Sequence, residues 1–209
     1  MPDFVPWNSQ SLEFWAEKHA KGKFIDLDGR STHYIEKGEG EPVILIHGFF
    51  YDSYMWSRNI DALAEHFKVY VIDLWGSGYS TRELLDYGYQ LFAEQVLKFM
   101  DGLGIPDAIL VGQSMGAGTA IKFCVQNRER VTKLILVSPA GMPNPMPITA
   151  KFFALPGIGE FFLSLKTDAI RRKNLRDVFI HDKEIITQSY FENVTRPQKI
   201  KGSNETGLR

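Results

Sequence analysis

Four short apolar runs, Val43–Ile46, Val69–Ile72, Ala108–Val111 and Leu134–Val137, constrain this chain more than any other feature. A strand with one face in water alternates apolar and polar side chains, and these runs do not. They suit strands buried on both faces, as in a parallel sheet covered by helices. Between the runs the apolar period lengthens to that of a helix. Trp56, Ile60, Leu63, Ala64 and Phe67 keep this period in the first interval, where Asp52 and Ser53 can cap the helix. Leu91, Phe92, Val96, Phe99, Met100 and Leu103 keep it across Tyr89 to Leu103, and Gly104 and Pro106 stop it. Met115 to Asn127 reads as a third helix. From Val43 onward the order is therefore β-α-β-α-β-α-β. That order predicts an α/β fold, a mostly parallel sheet with helices on both faces and right-handed crossovers.

The flanks read differently. Ser11 to Ala20 has helical spacing, and Phe24–Asp28 with Ser31–Glu36 reads as a hairpin around Gly29. After Ala140 the stretch GMPNPMP breaks the pattern, and no alternation of strand and helix resumes. Phe152, Phe153, Phe161 and Phe162 follow, then expected helices around Asp168–Phe179 and Asp182–Asn193. The division expected is a core over 1–142, a helical cap insertion over 143–201, and over 202–209 the start of a return to a core whose last elements are absent.

Composition excludes several function classes. The chain has 209 residues, enough for one well-buried domain, and a formal net charge of -1. No block of lysine or arginine marks it for nucleic acid. Its single cysteine, Cys124, makes no internal disulfide and fits a reducing compartment. The N-terminus lacks the pattern of a signal peptide, and no run of about 18 apolar residues could span a bilayer. A cytoplasmic protein without a membrane span is expected. Gly116-Ala117-Gly118 lacks the full dinucleotide fingerprint, and no phosphate loop or metal-ligand cluster is seen. No cofactor and no metal are expected.

Gly112-Gln113-Ser114-Met115-Gly116 is G-x-S-x-G, set between an expected strand and an expected helix. A strand that turns sharply into a helix strains the residue at its tip, and flanking glycines remove the Cβ atoms that would collide there. The Ser114 hydroxyl then stands at the carboxyl edge of the sheet. The N–H of Met115, at the positive end of the helix, can point at an oxygen that becomes negative. A second donor is expected from Phe49, in the His47-Gly48-Phe49 turn one unit upstream, with Gly48 allowing the bend and the His47 ring buttressing the loop. Asp73 to Gly78 reads as a tight turn after a strand, and Asp73 could face the pocket.

The pieces VILIHGFF, VYVIDLWGSGYS, ILVGQSMGAG and LILVSPAG, in this order, resemble the α/β-hydrolase superfamily, specifically the capped hydrolases that include esterases, cofactor-free haloperoxidases and carbon–carbon bond hydrolases. The resemblance covers Phe24 to Ala140. It implies that Ser114 is the nucleophile and that the amides of Phe49 and Met115 form the oxyanion hole. His47, Gly48, Gly112 and Gly116 then support elbow and loop, and Phe50 and Gln113 line the substrate pocket. A serine in place of aspartate argues against the haloalkane dehalogenase and epoxide hydrolase branches. Phe49-Phe50 departs from the Gly/Ser-rich segment of ring-cleavage hydrolases, which weakens the carbon–carbon reading. In the family the acid and the histidine come late, in the order serine, acid, histidine. No strand pattern follows Val137 to carry them, and none of His19, His33, His47, His66 and His181 stands at the family position. The function expected is therefore a serine hydrolase for a small or medium apolar carboxylic ester, or a related acyl or carbon–carbon bond, with this form inactive or weak. The alternative is a non-catalytic binding or assembly protein of the same fold. Phe-rich cap segments would roof an apolar pocket, and the open sheet edge would be covered by a second copy or a complementing chain.

Overall fold

The computed structural model describes residues 5–140 and 167–206, with the side chains of 178 and 179 excepted. Phe152, Phe153, Phe161 and Phe162 lie outside the described residues, as does the Phe179 side chain. A short helix, α1 (Leu12–His19), is capped by Ser11, whose hydroxyl accepts from the Phe14 N–H. Strands β1 (Lys23–Leu27) and β2 (Arg30–Lys37) form the hairpin. Then follow β3 (Pro42–Ile46), α2 (Ile60–Ala64), β4 (Lys68–Ile72), α3 (Tyr89–Gly102), β5 (Ala108–Gln113), α4 (Met115–Gln126) and β6 (Val131–Val137). They build a six-stranded sheet in the order β1-β2-β4-β3-β5-β6. The hairpin is antiparallel and joins β4 antiparallel, while β4, β3, β5 and β6 run parallel. The α/β architecture expected from the alternation of runs is the one observed.

Burial explains why the four runs do not alternate. In β3, Ile44, Leu45 and Ile46 have no exposed surface, because each face of the sheet is covered. Ile44, Ile46, Ile72 and Leu110 pack with Phe92, Val96, Phe99, Met100 and Phe123 of α3 and α4. Val43, Leu45, Val69, Val71 and Ile109 pack with Trp56 and Ile60 on the other face. β6 is different: Ile135, Leu136 and Val137 are 47%, 38% and 42% exposed, so this edge of the sheet is apolar and open among the described residues.

The continuous helix expected after Asp52 divides in two. The Asp52 carboxylate accepts from the Tyr54 N–H and caps a 3₁₀ turn, Ser53–Trp56. The N–H groups of Ser57 and Asn59 then bond three residues back, to Tyr54 and Trp56, before α2 begins. Trp56 and Ile60 still reach the same sheet face, which is why the apolar spacing resembled one helix.

After β6, the described chain resumes with α5 (Asp168–Asn174), a π turn at Leu175–Phe179, a 3₁₀ turn at Lys183–Ile185, and α6 (Gln188–Thr195). Leu175, Phe191 and Val194 are buried together with Tyr51 and Tyr54, so Phe191 packs this segment onto the loop after β3. The chain then turns through Arg196–Lys199 and Ser203–Thr206. The N-terminal arm straps that turn: the N–H groups of Ser9 and Gln10 donate to the Lys199 carbonyl, and that of Lys201 donates to Gln10. No described helix is long and apolar enough to cross a membrane.

Phe99 has no exposed surface and meets Tyr34 edge-on at 5.1 Å and Tyr70 at 6.0 Å, joining α3 to the hairpin and β4. Phe99→Ala removes that joint. We expect it to cost about 3–5 kcal/mol, read by denaturant unfolding.

Candidate active site

The elbow is built from the ends of three parallel strands. Ser114 has φ 52° and ψ -113°, a strained conformation for a residue with a side chain. The surroundings leave it no alternative. Its N–H donates to the Val137 carbonyl of β6 at 3.0 Å. Its carbonyl accepts from the N–H groups of Ala117, Gly118 and Ala140, each at 3.1 Å. A Cβ on Gly116 would strike the carbonyls of Ile46 and His47, and one on Gly112 would strike the Gly116 carbonyl. The elbow is therefore pressed against the end of β3. Met115 opens α4, so its N–H has no acceptor within the helix.

The loop after β3 faces the elbow. His47 is fully buried. Its Nδ1 lies 2.8 Å from the Gly48 carbonyl, and its Nε2 accepts from the Leu74 N–H at 3.0 Å. Those partners fix a neutral ring protonated at Nδ1, in keeping with burial that lowers its pKa. The ring ties the loop to the chain leaving β4 and has no nitrogen left for proton transfer. Gly48 makes room for the Gln113 side chain, on which a Cβ would fall. The left-handed residue of this loop is not a glycine but Phe50, at φ 60°. Phe49 is 46% exposed, and its ring lies tilted against that of Phe50, with centroids 4.0 Å apart.

Behind the loop lies a polar centre that the sequence did not announce. Asp73 has no exposed surface and turns away from the pocket, contrary to the expectation for it. Its Oδ1 accepts from the Ser53 N–H at 2.6 Å, and its Oδ2 accepts from the Tyr79 N–H at 2.9 Å. His33 Nδ1 lies 2.7 Å from the same Oδ2, while His33 Nε2 lies 2.8 Å from the Lys21 carbonyl. A carbonyl can only accept, so Nε2 carries a proton. The two amides on Asp73 favour its ionised form, so Nδ1 carries one as well. The pair is an imidazolium on a carboxylate. Burial opposes both charges, but Asp73 raises the His33 pKa, and His33 holds Asp73 at about 2. Asp52 stands nearby. Burial, with the Asp73 charge adding, pushes it up to about 7. The register of β2 on β4 places His33 opposite Asp73: Tyr34 pairs with Ile72, and the Asp73 N–H donates to the His33 carbonyl.

A cavity of about 570 Å³ opens beside the elbow. Phe49, Phe50, Met115, Trp75, Tyr87 and Phe92 supply its apolar wall. Asp52, Arg82, Ser203 and Thr206 add polar groups. Of the two residues expected to line a substrate pocket, Phe50 is in the wall of this cavity, whereas Gln113 sits behind Gly48 and is not. Ser114 is not in the wall either, although its neighbours Phe49 and Met115 are. Of the other histidines, His19 packs on Trp15 at 4.3 Å, and His66 and His181 are exposed.

Two substitutions separate the buried charges. His33→Leu leaves Asp73 ionised and unpaired, which we expect to cost about 3–5 kcal/mol in urea unfolding at pH 7. The His33 contribution is complete below its ordinary 6.5 and is lost as pH rises through its raised value. The Asp73 contribution is complete above its ordinary 3.8 and is lost as pH falls through about 2. Asp52 acts in the opposite sense. The folded chain keeps its proton between 3.8 and about 7, so stability falls as pH rises through that window. Asp52→Asn keeps the acceptor for Tyr54 and removes the titration. Its melting temperature should gain on that of the parent as pH rises from 4 and level off above about 7.

The family model for the alpha/beta hydrolase fold matches residues 41–178. The dihydrolipoyllysine-residue acetyltransferase component of the acetoin cleaving system of Cupriavidus necator is 33% identical over 187 residues, covering 88% of this chain and 47% of that protein. The 2-hydroxy-6-oxo-6-phenylhexa-2,4-dienoate hydrolase of Comamonas testosteroni is 34% identical over 185 residues, covering 84% of this chain and 62% of that protein. The chain thus spans about half to two thirds of the length of these relatives. Among solved structures, the epoxide hydrolase CorEH superposes with a TM-score of 0.81 at 25% identity, over 90% of this chain and 71% of that one. The meta-cleavage product hydrolase CumD gives 0.74 at 28%, over 90% and 67%. With its strand order, its elbow and this match across most of its length, the chain belongs to the α/β-hydrolase family.

Proposed function

We propose that this chain carries the nucleophile and oxyanion hole of a serine hydrolase. The observation that carries the reading is the backbone of Ser114, held left-handed at a strand-to-helix junction by hydrogen bonds from two directions. Strain kept in place by its surroundings is characteristic of functional positions. In this reading the Ser114 Oγ attacks the carbonyl carbon of the substrate and its proton passes to a base. The N–H groups of Phe49 and Met115 take the developing oxyanion. The leaving group departs with a proton, and water then releases the acyl group from Ser114. His33 and His47 have committed both ring nitrogens, so the base is another group. Until one is engaged, only the residual catalysis of the hole and of binding remains, roughly 10³–10⁴ over water in a comparable serine enzyme.

The aromatic wall of the cavity supports a small or medium apolar acyl substrate. An ester is our first reading. The carbon–carbon reading is favoured by relatives: the hydrolases from Comamonas testosteroni and Burkholderia cepacia, named for 2-hydroxy-6-oxo dienoates, are 34–35% identical. The same serine and hole serve both, because each reaction passes through an oxyanion at a carbonyl carbon. A cytoplasmic setting is our reading for the compartment, in keeping with the lone Cys124.

Turnover of a short-chain p-nitrophenyl ester and of a 2-hydroxy-6-oxo dienoate, each measured with the parent and with Ser114→Ala, tests this. With no base engaged the parent should turn over only weakly, and we expect a measurable further loss for at least one substrate in the variant. Equal rates in both proteins would point instead to a binding or assembly protein that keeps the elbow without using it.

A further inference from the structure

The Phe50 carbonyl receives two side-chain donors from the segment that follows β6. Arg171 of α5 donates through Nη2 at 3.2 Å. Gln198, from the turn after α6, donates through Nε2 at 3.3 Å. Neither contact is a loose surface pair. Arg171 is 6% exposed, and its guanidinium lies over the Phe50 ring at 5.8 Å. The Gln198 amide also donates to the Val194 carbonyl, and two carbonyl partners fix which end of the amide points at the loop.

The residue they hold is the one whose backbone is strained. Phe50 is left-handed at φ 60°, which a residue with a Cβ adopts only when its surroundings impose it. The loop has further ties. The Tyr51 N–H donates to Gly48, the Ser53 N–H donates to Asp73 at 2.6 Å, and the Tyr51 side chain bonds Tyr190 and packs with Leu175 and Phe191. Arg171 and Gln198 add two bonds on the Phe50 carbonyl itself. If Phe50 relaxed to negative φ, the Phe50–Tyr51 peptide would turn and its N–H would leave the Gly48 carbonyl, which belongs to the same peptide as the Phe49 N–H, so that N–H would be re-aimed.

We propose that Arg171 and Gln198 are positioning residues for the oxyanion hole: docking of the helical segment onto the loop after β3 holds Phe50 left-handed and so aims the Phe49 N–H. This rests on the reading of Phe49 as an oxyanion donor. The segment beyond β6 then does more than roof the cavity, because the hole is complete only while that segment is seated. The cavity is walled by the same two pieces, Phe49–Asp52 on one side and Pro197, Gln198, Ser203 and Thr206 on the other. A substrate that fills it touches both and favours the seated arrangement over the open one.

The test uses Arg171→Met and Gln198→Ala, singly and together, in the parent and in a Phe50→Gly background. Glycine takes positive φ without strain, so it does not need the clamp. In the parent we expect the pair to lower kcat about tenfold and to raise KM, and in the glycine background to lower kcat less than about twofold. Amide hydrogen exchange of residues 48–53 should rise about tenfold in the paired variant while β3 and β5 stay protected. Unchanged exchange would overturn the clamp. Raised exchange with unchanged kcat, or an equal kcat loss in both backgrounds, would overturn the positioning role. If the parent shows no Ser114-dependent turnover, the hydrolase reading fails by itself, and the exchange measurement still decides whether the clamp exists. If the paired variant does not fold, Gln198→Ala alone is read by the same measures.

Discussion

Asp73 carries a full negative charge at a position with no exposed surface, and four pieces of chain meet on it. The hairpin supplies His33, the loop after β3 supplies the Ser53 amide, the turn after β4 supplies the Tyr79 amide, and the first residue beyond β4 is the aspartate itself. An isolated buried carboxylate would cost several kcal/mol or take up a proton. Here each oxygen receives an N–H, and the imidazolium balances the charge. The pair matters less for net stability than for specification, because no other register of β2 on β4 would satisfy it. Around it the remaining polar groups close without loose ends. The Asp73 carbonyl accepts from the Ser80 hydroxyl and the Gln95 amide, and Gln95 Oε1 accepts from the Trp75 N–H. The turn that forms one wall of the cavity is thus shaped from inside the protein.

Strain is concentrated at the same edge of the sheet. Phe50, Ser114 and Ser138 follow β3, β5 and β6, and each is left-handed without being glycine. Each such residue costs of order 1–3 kcal/mol. Three neighbouring sites of this kind on one edge need a rigid base, and the central strands provide it with side chains wholly removed from water. Ser114 and Ser138 brace one another through the end of β6: Val137 accepts from the Ser114 N–H, and Ala140 donates to the Ser114 carbonyl. The apolar edge of β6, open among the described residues, therefore lies one strand from the elbow, and its end is joined to Ser114 by these two hydrogen bonds.

The parallel part of the fold was legible because burial on both faces leaves an unmistakable mark, a run that does not alternate. Ser114 was legible because its neighbours had to be glycines. The Asp73 centre was not. Its members are separated by 40 residues, and nothing local signals that the hairpin pairs with β4, the step that brings His33 opposite Asp73. Phe50 was missed for a different reason. Phenylalanine is a poor marker for positive φ, so the bend was assigned to Gly48, whose missing Cβ instead admits the side chain of Gln113. Asp52 illustrates a third limit. Its place as a cap could be read locally, but its proton could not, since its pKa is raised first by burial and then by a carboxylate brought close by the sheet.

These features divide the labour between two supports. The sheet fixes Ser114, through Gly116, pressed on the end of β3, and Gly112, pressed on the start of α4. The loop after β3 spans both supports: Asp73 holds it from the sheet, and Arg171 and Gln198 hold it from the helical segment. A loop built into the sheet alone would be rigid in every state. One shared with a second layer is rigid only when that layer is in place, and the buried stretch between the layers is where the cavity lies. The N-terminal arm then gains a reason. By pairing Ser9 and Gln10 with Lys199, next to Gln198, it secures the turn that carries one of the two donors, and it joins the first residues of the described chain to the geometry of the site.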